Sequence, residues 1–237
     1  MRGGPAERRA FLDTALCQLK PVYLSSLQKY NLILSQRNAL LKSAAEKKPE
    51  SFDLTMSVWS AQLAREAVYI ASERAAYVNS LTRFVSPFFA DLSGGKEEIS
   101  LSYSHLYTEE EYLTKLTINI EREIAAGATL YGIHKDDVAI TLNGKEARFF
   151  ASQGQQRSIA FALKLGEGKI AEETGGDSPI YLMDDVLSEL DAERRSFVLS
   201  SLRGKQTFVT TCIPDDFAGV PAERFRVKNG NIIPAAP

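Results

Sequence analysis

The chain has 237 residues, 44% of them hydrophobic, and a formal net charge of −2. This is enough for one large or two modest domains with a buried core. No apolar run approaches the roughly eighteen residues of a membrane span, and the first residues lack the apolar core of a signal peptide. We therefore expect a soluble, cytoplasmic protein with no membrane partner. The two cysteines, Cys17 and Cys212, are expected to be buried reduced thiols, and two histidines exclude a histidine-rich metal site.

Residues 1–92 carry a helical pattern of apolar residues. Pro5 suits a first helical turn, Pro21 breaks or restarts the helix, and residues 47–49 form a predicted loop. A further pattern over about 54–92 has Pro87 near its end, where a kink is expected. We predict an all-helical arm domain over residues 1–92 and a second domain over residues 93–237.

Basic residues are concentrated at the beginning of the chain. Residues 1–48 hold nine basic and three acidic side chains, a balance of +6, whereas the remainder carries −8. Phosphate contacts need only a local basic face, because counterion release depends on the charges actually engaged. A solvated helix surface explains the excess equally well.

Residues 96–150 predict mixed helices and strands. Gly94 and Gly95 are expected to cap the preceding helix and lead into a strand over 98–103. Thr108 and Glu111 have the spacing of a capping box at the start of a helix. A hairpin is predicted between residues 138–142 and 147–150, with its turn at 143–144. His134 is interpreted as a hydrogen-bonded loop residue, with nucleotide or DNA contact as the alternative.

A candidate phosphate site opens the next helix. Ser152, Gln153, Gly154 and Gln155 precede an apolar, helix-forming run over 158–165. A small polar residue and a glycine at a helix start present free backbone N–H groups and the positive end of the helix dipole, which suits a phosphate. Taken alone, the pattern is that of an ordinary N-cap.

Residues 180–183 predict a strand buried on both faces, which ends on two carboxylates, Asp184 and Asp185. At the carboxyl edge of a parallel sheet, such acids lie where a phosphate and its metal would bind. A divalent cation would remove the repulsion between them. The alternative is a strand end with two solvated acids. A helix over 194–202, a buried strand over 207–211 and a hairpin with its turn at 229–230 are predicted to follow.

Three matches, the first of them made of two stretches, give the chain a resemblance to the RecF family of DNA-repair ATPases. Residues 152–157 (SQGQQR) and 182–191 (LMDDVLSELD) are similar to its signature motif, Walker B strand and D-loop. Residues 3–13 (GGPAERRAFLD) resemble a second RecF stretch. Residues 132–137 (GIHKDD) resemble a third, with Ile133 in place of proline and Lys135 in place of arginine. The resemblance implies an α/β fold, specifically a partial ABC-type, P-loop NTPase-like ATPase head with a helical arm.

The chain departs from the family in one major respect. It contains no Gly-x-x-x-x-Gly-Lys-Ser/Thr phosphate loop, because its Gly-Lys pairs are followed by Glu, Glu, Ile and Gln. In RecF that loop lies in an amino-terminal lobe that precedes the Gly-Gly-Pro stretch, so this chain is expected to lack that lobe. Gly166 and Gly168 also predict a shortened helix after the signature motif.

The resemblance assigns roles to individual residues. Asp184 is the expected Mg²⁺ residue and Asp185 the catalytic residue that orients or deprotonates the attacking water. Arg8 and Arg9 are assigned to DNA contact. The residues expected to bind ATP, some of them across a dimer interface, are Ser152, Gln153, Gly154, Gln155, Ser188 and Asp191.

The implied function is that of a RecF-type ATP- and DNA-binding protein. Such a protein dimerises on ATP and Mg²⁺, binds single-stranded DNA and gap junctions, and acts with RecR, RecO and RecA in gap repair and the SOS response. A weak ATPase is expected of an intact member, but without a P-loop this chain is not expected to hydrolyse ATP alone. The alternatives are a nucleotide-independent DNA- or partner-binding remnant and a fragment of another Rad50/SMC-like ABC ATPase.

Overall fold

The structure is a computed structural model of the chain. It describes residues 4–104, 106–185, 190, 192–212 and 220–234. The chain forms two compact units, Met1–Pro179 and Ile180–Pro237. The boundary predicted between residues 92 and 93 lies inside the first unit and stays a prediction. No helix in the described ranges is long and apolar enough to cross a membrane.

Three long helices open the first unit, namely α1 (Pro5–Leu19), α2 (Pro21–Glu46) and α3 (Phe52–Leu92). Pro5 and Pro21 each occupy a first helical turn, where the missing N–H has no intrahelical partner to lose. α3 continues through Pro87 and ends as predicted, since Gly94 and Gly95 adopt φ values of 61° and 74°. These bounds confirm the helical pattern of this region.

A fully buried ion pair joins α2 to α5 (Ile120–Ala126). Arg37 Nη2 lies 2.7 Å from Glu123 Oε2, and both side chains are 0% exposed. Arg37 Nη1 also donates a hydrogen bond to Thr129 Oγ1 at 2.7 Å. Since a buried charge is costly unless it is paired, this contact fixes how the two helices meet. The sequence pattern did not reveal it.

A small antiparallel sheet follows, in the order β1 (Ile99–Tyr103), β2 (Val138–Leu142), β3 (Lys145–Glu146). Between β1 and β2 lie α4 (Glu109–Ile118) and α5. α4 begins with the predicted capping box, in which Glu111 N–H donates to Thr108 Oγ1 at 3.2 Å. The buried residues of β1 and β2 alternate with exposed ones, as expected for a sheet that packs on one face.

The predicted hairpin at residues 138–150 is correct in its turn and wrong in its second arm. Asn143 and Gly144 take positive φ values of 50° and 73°, which a tight hairpin turn requires. β3 nevertheless has only two residues, and Ala147–Phe150 form a single helical turn, α6. Ala147 is buried and its carbonyl accepts a bond from Ala151 N–H at 3.0 Å, so the chain turns here instead of extending the ladder.

The last helix of the first unit, α7 (Gln153–Gly175), has 23 residues. The shortening expected from its glycines is therefore wrong. A Cβ on Gly166 would lie 3.0 Å from Val85 Cγ2 of α3, so the glycine allows the two helices to pack closely. Packing contacts of this kind outweigh the unfavourable helix propensity of about 1 kcal/mol per glycine.

The second unit contains β4 (Tyr181–Asp184), α8 (Ala192–Ser201), β5 (Thr207–Thr210) and a hairpin of β6 (Phe225–Lys228) and β7 (Asn231–Pro234). β4 and β5 are parallel. The predictions that β4 is buried on both faces and that β5 is a buried strand are wrong, since Leu182 is 78% and Phe208 58% exposed. Every second residue of this two-stranded sheet is exposed. A run of consecutive apolar residues in the sequence does not reveal which face of a strand is exposed. Cys212 is likewise exposed, contrary to expectation, and Cys17 is half-buried.

Candidate functional site

The candidate phosphate site is the amino-terminal end of α7. Ser152 is the N-cap: its Oγ accepts a hydrogen bond from Gln155 N–H at 3.2 Å, and Gln155 Oε1 accepts one from Ser152 N–H at 2.7 Å. This capping box uses the third N–H of the helix and leaves those of Gln153 and Gly154 at its open end. Ser152 and Gln153 are exposed, and the serine hydroxyl keeps a proton to donate.

The same helix end is anchored on one side and open on the other. Gln155 Nε2 donates to Glu97 Oε1 at 2.6 Å, which ties the first turn to the segment before β1. A Cβ added to Gly154 would have no heavy atom within 4 Å. The side of the first turn at Gly154 is therefore open, and the first N–H groups of a helix together with its dipole favour an anion at this end.

In the second unit, Asp184 and Asp185 meet Thr210 at the carboxyl end of the parallel strands. Thr210 Oγ1 donates to Asp184 Oδ1 at 2.5 Å and accepts a bond from Asp185 N–H at 3.1 Å. Asp185 has φ 49°, a conformation that costs energy for a residue with a side chain. The sequence pattern did not single out Thr210, although it shows a polar residue at the end of the second predicted strand.

This arrangement fits part of a magnesium site. Mg²⁺ prefers oxygen ligands and is commonly held by one or two carboxylates together with water and substrate phosphates. Asp184 offers an exposed carboxylate of fixed orientation. Within the described ranges no group of three or more His, Cys, Asp and Glu side chains could hold a metal. Ser188 and Asp191, both assigned to nucleotide binding, lie outside the described residues.

Arg8 and Arg9, the residues assigned to DNA, make contacts within the chain. Arg8 Nε and Nη2 donate to the two carboxylate oxygens of Asp137 at 2.7 and 2.6 Å, and Arg8 is 9% exposed. Burial acts to raise the pKa of the Asp137 carboxyl, but hydrogen bonds from Arg8 and Val138 N–H hold it below its usual value. Arg9 Nη1 donates to the carbonyl of Asp136 at 2.7 Å. DNA contact by either arginine stays a prediction.

Arg74 connects the two family-like stretches around these arginines. Its Nε and Nη2 each lie 2.9 Å from an oxygen of Asp13, and its Nη1 donates to the carbonyl of Ile133 at 2.9 Å. Tyr103 OH also donates to Asp136 Oδ2 at 2.6 Å. Residues 3–13 and 132–137, which are far apart in sequence, are thus joined by a largely buried polar network. The sequence pattern does not reveal Arg74, because nothing near it in the chain marks it as a partner of Asp13 or Ile133.

His134 is part of the same loop and is hydrogen-bonded, as predicted. Its Nδ1 accepts a bond from Tyr30 OH at 2.7 Å, and its Nε2–H donates to the carbonyl of Thr129 at 3.1 Å. Burial lowers the pKa of the imidazole, and the neighbouring cations Lys135, Arg9 and Arg37 add to that effect, although the bond to Thr129 opposes it. The neutral imidazole therefore serves as a link between the loop and α2.

The relatives compared with this chain by sequence are RecF proteins. A RecF from Lachnoclostridium phytofermentans is 40% identical over 227 residues, which cover 96% of this chain and 62% of that protein. One from Shouchella clausii is 37% identical and is covered over 66% of its length. Both are described as DNA replication and repair proteins. This chain therefore spans somewhat less than two thirds of the relatives it matches. No protein-family model matches the chain.

Comparison of the fold with solved structures also identifies RecF. Two structures of the recombination mediator protein RecF in the RecFOR pathway, one with ATP and one with ATPγS, match 99% of this chain at 31% identity, with TM-scores of 0.85 and 0.84. The match covers 64% of each solved chain. It confirms the predicted fold class, a partial ABC-type head with a helical arm, and the resemblance seen in the sequence.

Proposed function

Because this chain is homologous to RecF proteins along nearly its whole length, we propose that it forms part of a RecF-type DNA replication and repair protein. Such a protein binds ATP and DNA and acts in recombinational gap repair and the SOS response. The observation that carries the proposal is the exposed, capped start of α7, where the space around a Cβ on Gly154 is open. That end would meet the γ-phosphate of an ATP held by a partner protomer, through Ser152 Oγ and Gly154 N–H.

The carboxylates of β4 have complementary roles in this proposal. Mg²⁺, when bound, neutralises charge on the phosphates of ATP. Asp184 would hold the ion through water, with Thr210 fixing the orientation of its carboxylate. Asp185 would orient the attacking water or accept its proton. Ser188 and Asp191 would cross the interface between protomers. ATP binding would then drive dimerisation, and hydrolysis would release it.

The homology to RecF proteins also supports a proposal for the DNA and protein partners. We assign single-stranded DNA and gap junctions as the nucleic-acid ligands, RecR as the direct partner, and RecO and RecA as members of the pathway, in the cytoplasm. Of the two arginines assigned to DNA, Arg9 is only half-buried, whereas the guanidinium of Arg8 is held by Asp137. Arg9 is therefore better placed to reach a phosphate.

The test is Mg·ATP-dependent association of this chain with full-length RecF from Lachnoclostridium phytofermentans, followed by sizing. Ser152→Ala should abolish the association, because the variant loses the hydroxyl that faces the phosphate. Thr108→Ala removes the equivalent capping residue of α4 and should leave association unchanged. Association that is independent of ATP, or unaffected by Ser152→Ala, would contradict the proposal.

One sequence observation favours a second candidate. Since the chain contains no P-loop motif, it could act as an interaction module that binds DNA or a partner without nucleotide. This alternative predicts DNA binding that Mg·ATP and the Asp184→Ala substitution leave unchanged.

A further inference from the structure

Two adjacent phenylalanines on α6 are exposed to solvent. Phe149 is 66% and Phe150 68% exposed, although they lie only two or three residues before the N-cap of α7. Phenylalanine is among the residues most often buried, so two neighbouring exposed rings are a feature to explain.

Each ring is paired with a cation. The guanidinium carbon of Arg148 lies 5.2 Å from the ring centroid of Phe149, and Lys145 Nζ lies 5.8 Å from that of Phe150. These distances are within the range of cation–π attraction. We call these four residues, Lys145, Arg148, Phe149 and Phe150, the aromatic platform.

The backbone beneath the aromatic platform is held in place. Ala147 is 5% exposed and anchors the turn, and its carbonyl accepts a bond from Ala151 N–H at 3.0 Å. Gln156 Nε2 donates to the carbonyl of Ala151 at 2.9 Å, which ties α6 to the first turn of α7. The rings are therefore presented by an ordered turn, so that little ordering entropy remains to be lost on binding.

We infer that the aromatic platform binds single-stranded nucleic acid by stacking two bases on Phe149 and Phe150 while Lys145 and Arg148 contact the adjoining phosphates. The inference rests on the DNA-binding part of the proposed function and names a surface for it. A single strand repeats one flat base and one phosphate per nucleotide, and the platform repeats one ring and one cation. Stacking on aromatic side chains combined with basic residues is how proteins bind single strands without sequence preference.

Other occupants fit this pattern less well. A duplex keeps its bases stacked inside, so it offers no free base face to the rings. A protein partner that covered the rings with apolar groups would also have to desolvate two cations. The dependence of binding on accessible bases therefore separates these possibilities.

The experiment measures fluorescence anisotropy of a dye-labelled oligothymidine and of an abasic oligonucleotide of the same length, without ATP. The double variant Phe149→Ala/Phe150→Ala removes two stacking rings and should weaken oligothymidine binding at least about 30-fold, while leaving abasic binding unchanged. Phe149→Tyr/Phe150→Tyr should restore oligothymidine binding, because tyrosine also stacks. Phe225→Ala, at another exposed phenylalanine (59%), is the matched control and should change neither.

Replacing the two cations should affect oligonucleotide binding differently from replacing the two rings. Lys145→Gln/Arg148→Gln should weaken binding of both oligonucleotides and reduce the salt slope by about 0.7 for each lost phosphate contact. The inference is overturned if the double alanine variant binds oligothymidine as tightly as the natural chain, or if abasic binding falls equally. These measurements contain no ATP, so they can be interpreted even if the chain fails to associate with full-length RecF in the presence of Mg·ATP.

Discussion

Replacing Gly154 by alanine should separate the stability of the chain from its proposed nucleotide function. Gly154 is the second residue of α7, and a Cβ there meets no heavy atom within 4 Å. Alanine is more favourable than glycine in a helix by up to about 1 kcal/mol. For a protein of this size, that gain raises Tm by about 2–4 °C. The substitution should therefore stabilise the folded chain.

The same methyl group would occupy the space through which a phosphate approaches the N–H groups of the helix. We expect Gly154→Ala to weaken Mg·ATP-dependent association with full-length RecF at least about tenfold, equivalent to 1.4 kcal/mol. The assays are thermal unfolding followed by circular dichroism and sizing of the mixture with and without Mg·ATP. A stability gain with loss of association is the expected combination.

Gly175→Ala provides the matched control for Gly154. Gly175 also lies in α7, and a Cβ there likewise meets nothing within 4 Å. It is at the opposite end of the helix, so its replacement should leave association unchanged. If Gly154→Ala were stabilised and still associated normally, the start of α7 would not be where the partner's nucleotide binds, and the reasoning would be refuted.

Three further changes test the packing and titration of the first unit. Arg37→Leu leaves Glu123 as an unpaired buried charge and should lower the free energy of unfolding in urea by about 3–5 kcal/mol. Arg83→Leu removes one member of an exposed ion pair and should lower it by less than about 1 kcal/mol. Equal losses would show that burial of the pair does not determine the cost. Gly166→Ala should destabilise by about 1–3 kcal/mol because its Cβ overpacks α3, and a stabilised variant would show that the helices can separate without cost. His134 takes up a proton less readily in the folded chain, so its contribution to stability is full above about pH 6.5 and is lost as the pH falls below that value. In urea unfolding at several pH values, the free energy of unfolding of His134→Gln should depend less on pH than that of the natural chain. An unchanged pH dependence would assign the effect to other groups.

The features predicted correctly are those whose determinants lie within a few residues of one another. The capping boxes at Thr108 and Ser152 each join residues three positions apart, and the turn at residues 143–144 depends on two adjacent residues with positive φ. Local rules of this kind are sufficient to place the start of α7, which is the candidate phosphate site.

The features missed depend on partners far along the chain. Arg37 and Arg74 are ordinary polar positions in a helical pattern, and only the fold reveals Glu123 and Asp13 beside them. Gly166 predicted a helix end because propensity is local, whereas its contact with α3 is not. Thr210 becomes a site residue only when β5 is placed parallel to β4. In each case tertiary contacts override or complete what the local sequence indicates.

The bond between Arg8 and Asp137 also constrains the order of events when the chain folds. Its two ends are separated by 129 positions, so during synthesis the guanidinium of Arg8 cannot pair with Asp137 until all the residues between them have been made. Contacts of such long range are associated with slow folding, because the loop between them must be closed before the contact stabilises anything. α1 should therefore be among the last elements of the first unit to acquire its native protection against hydrogen exchange, even though it precedes the other helices of that unit in the sequence.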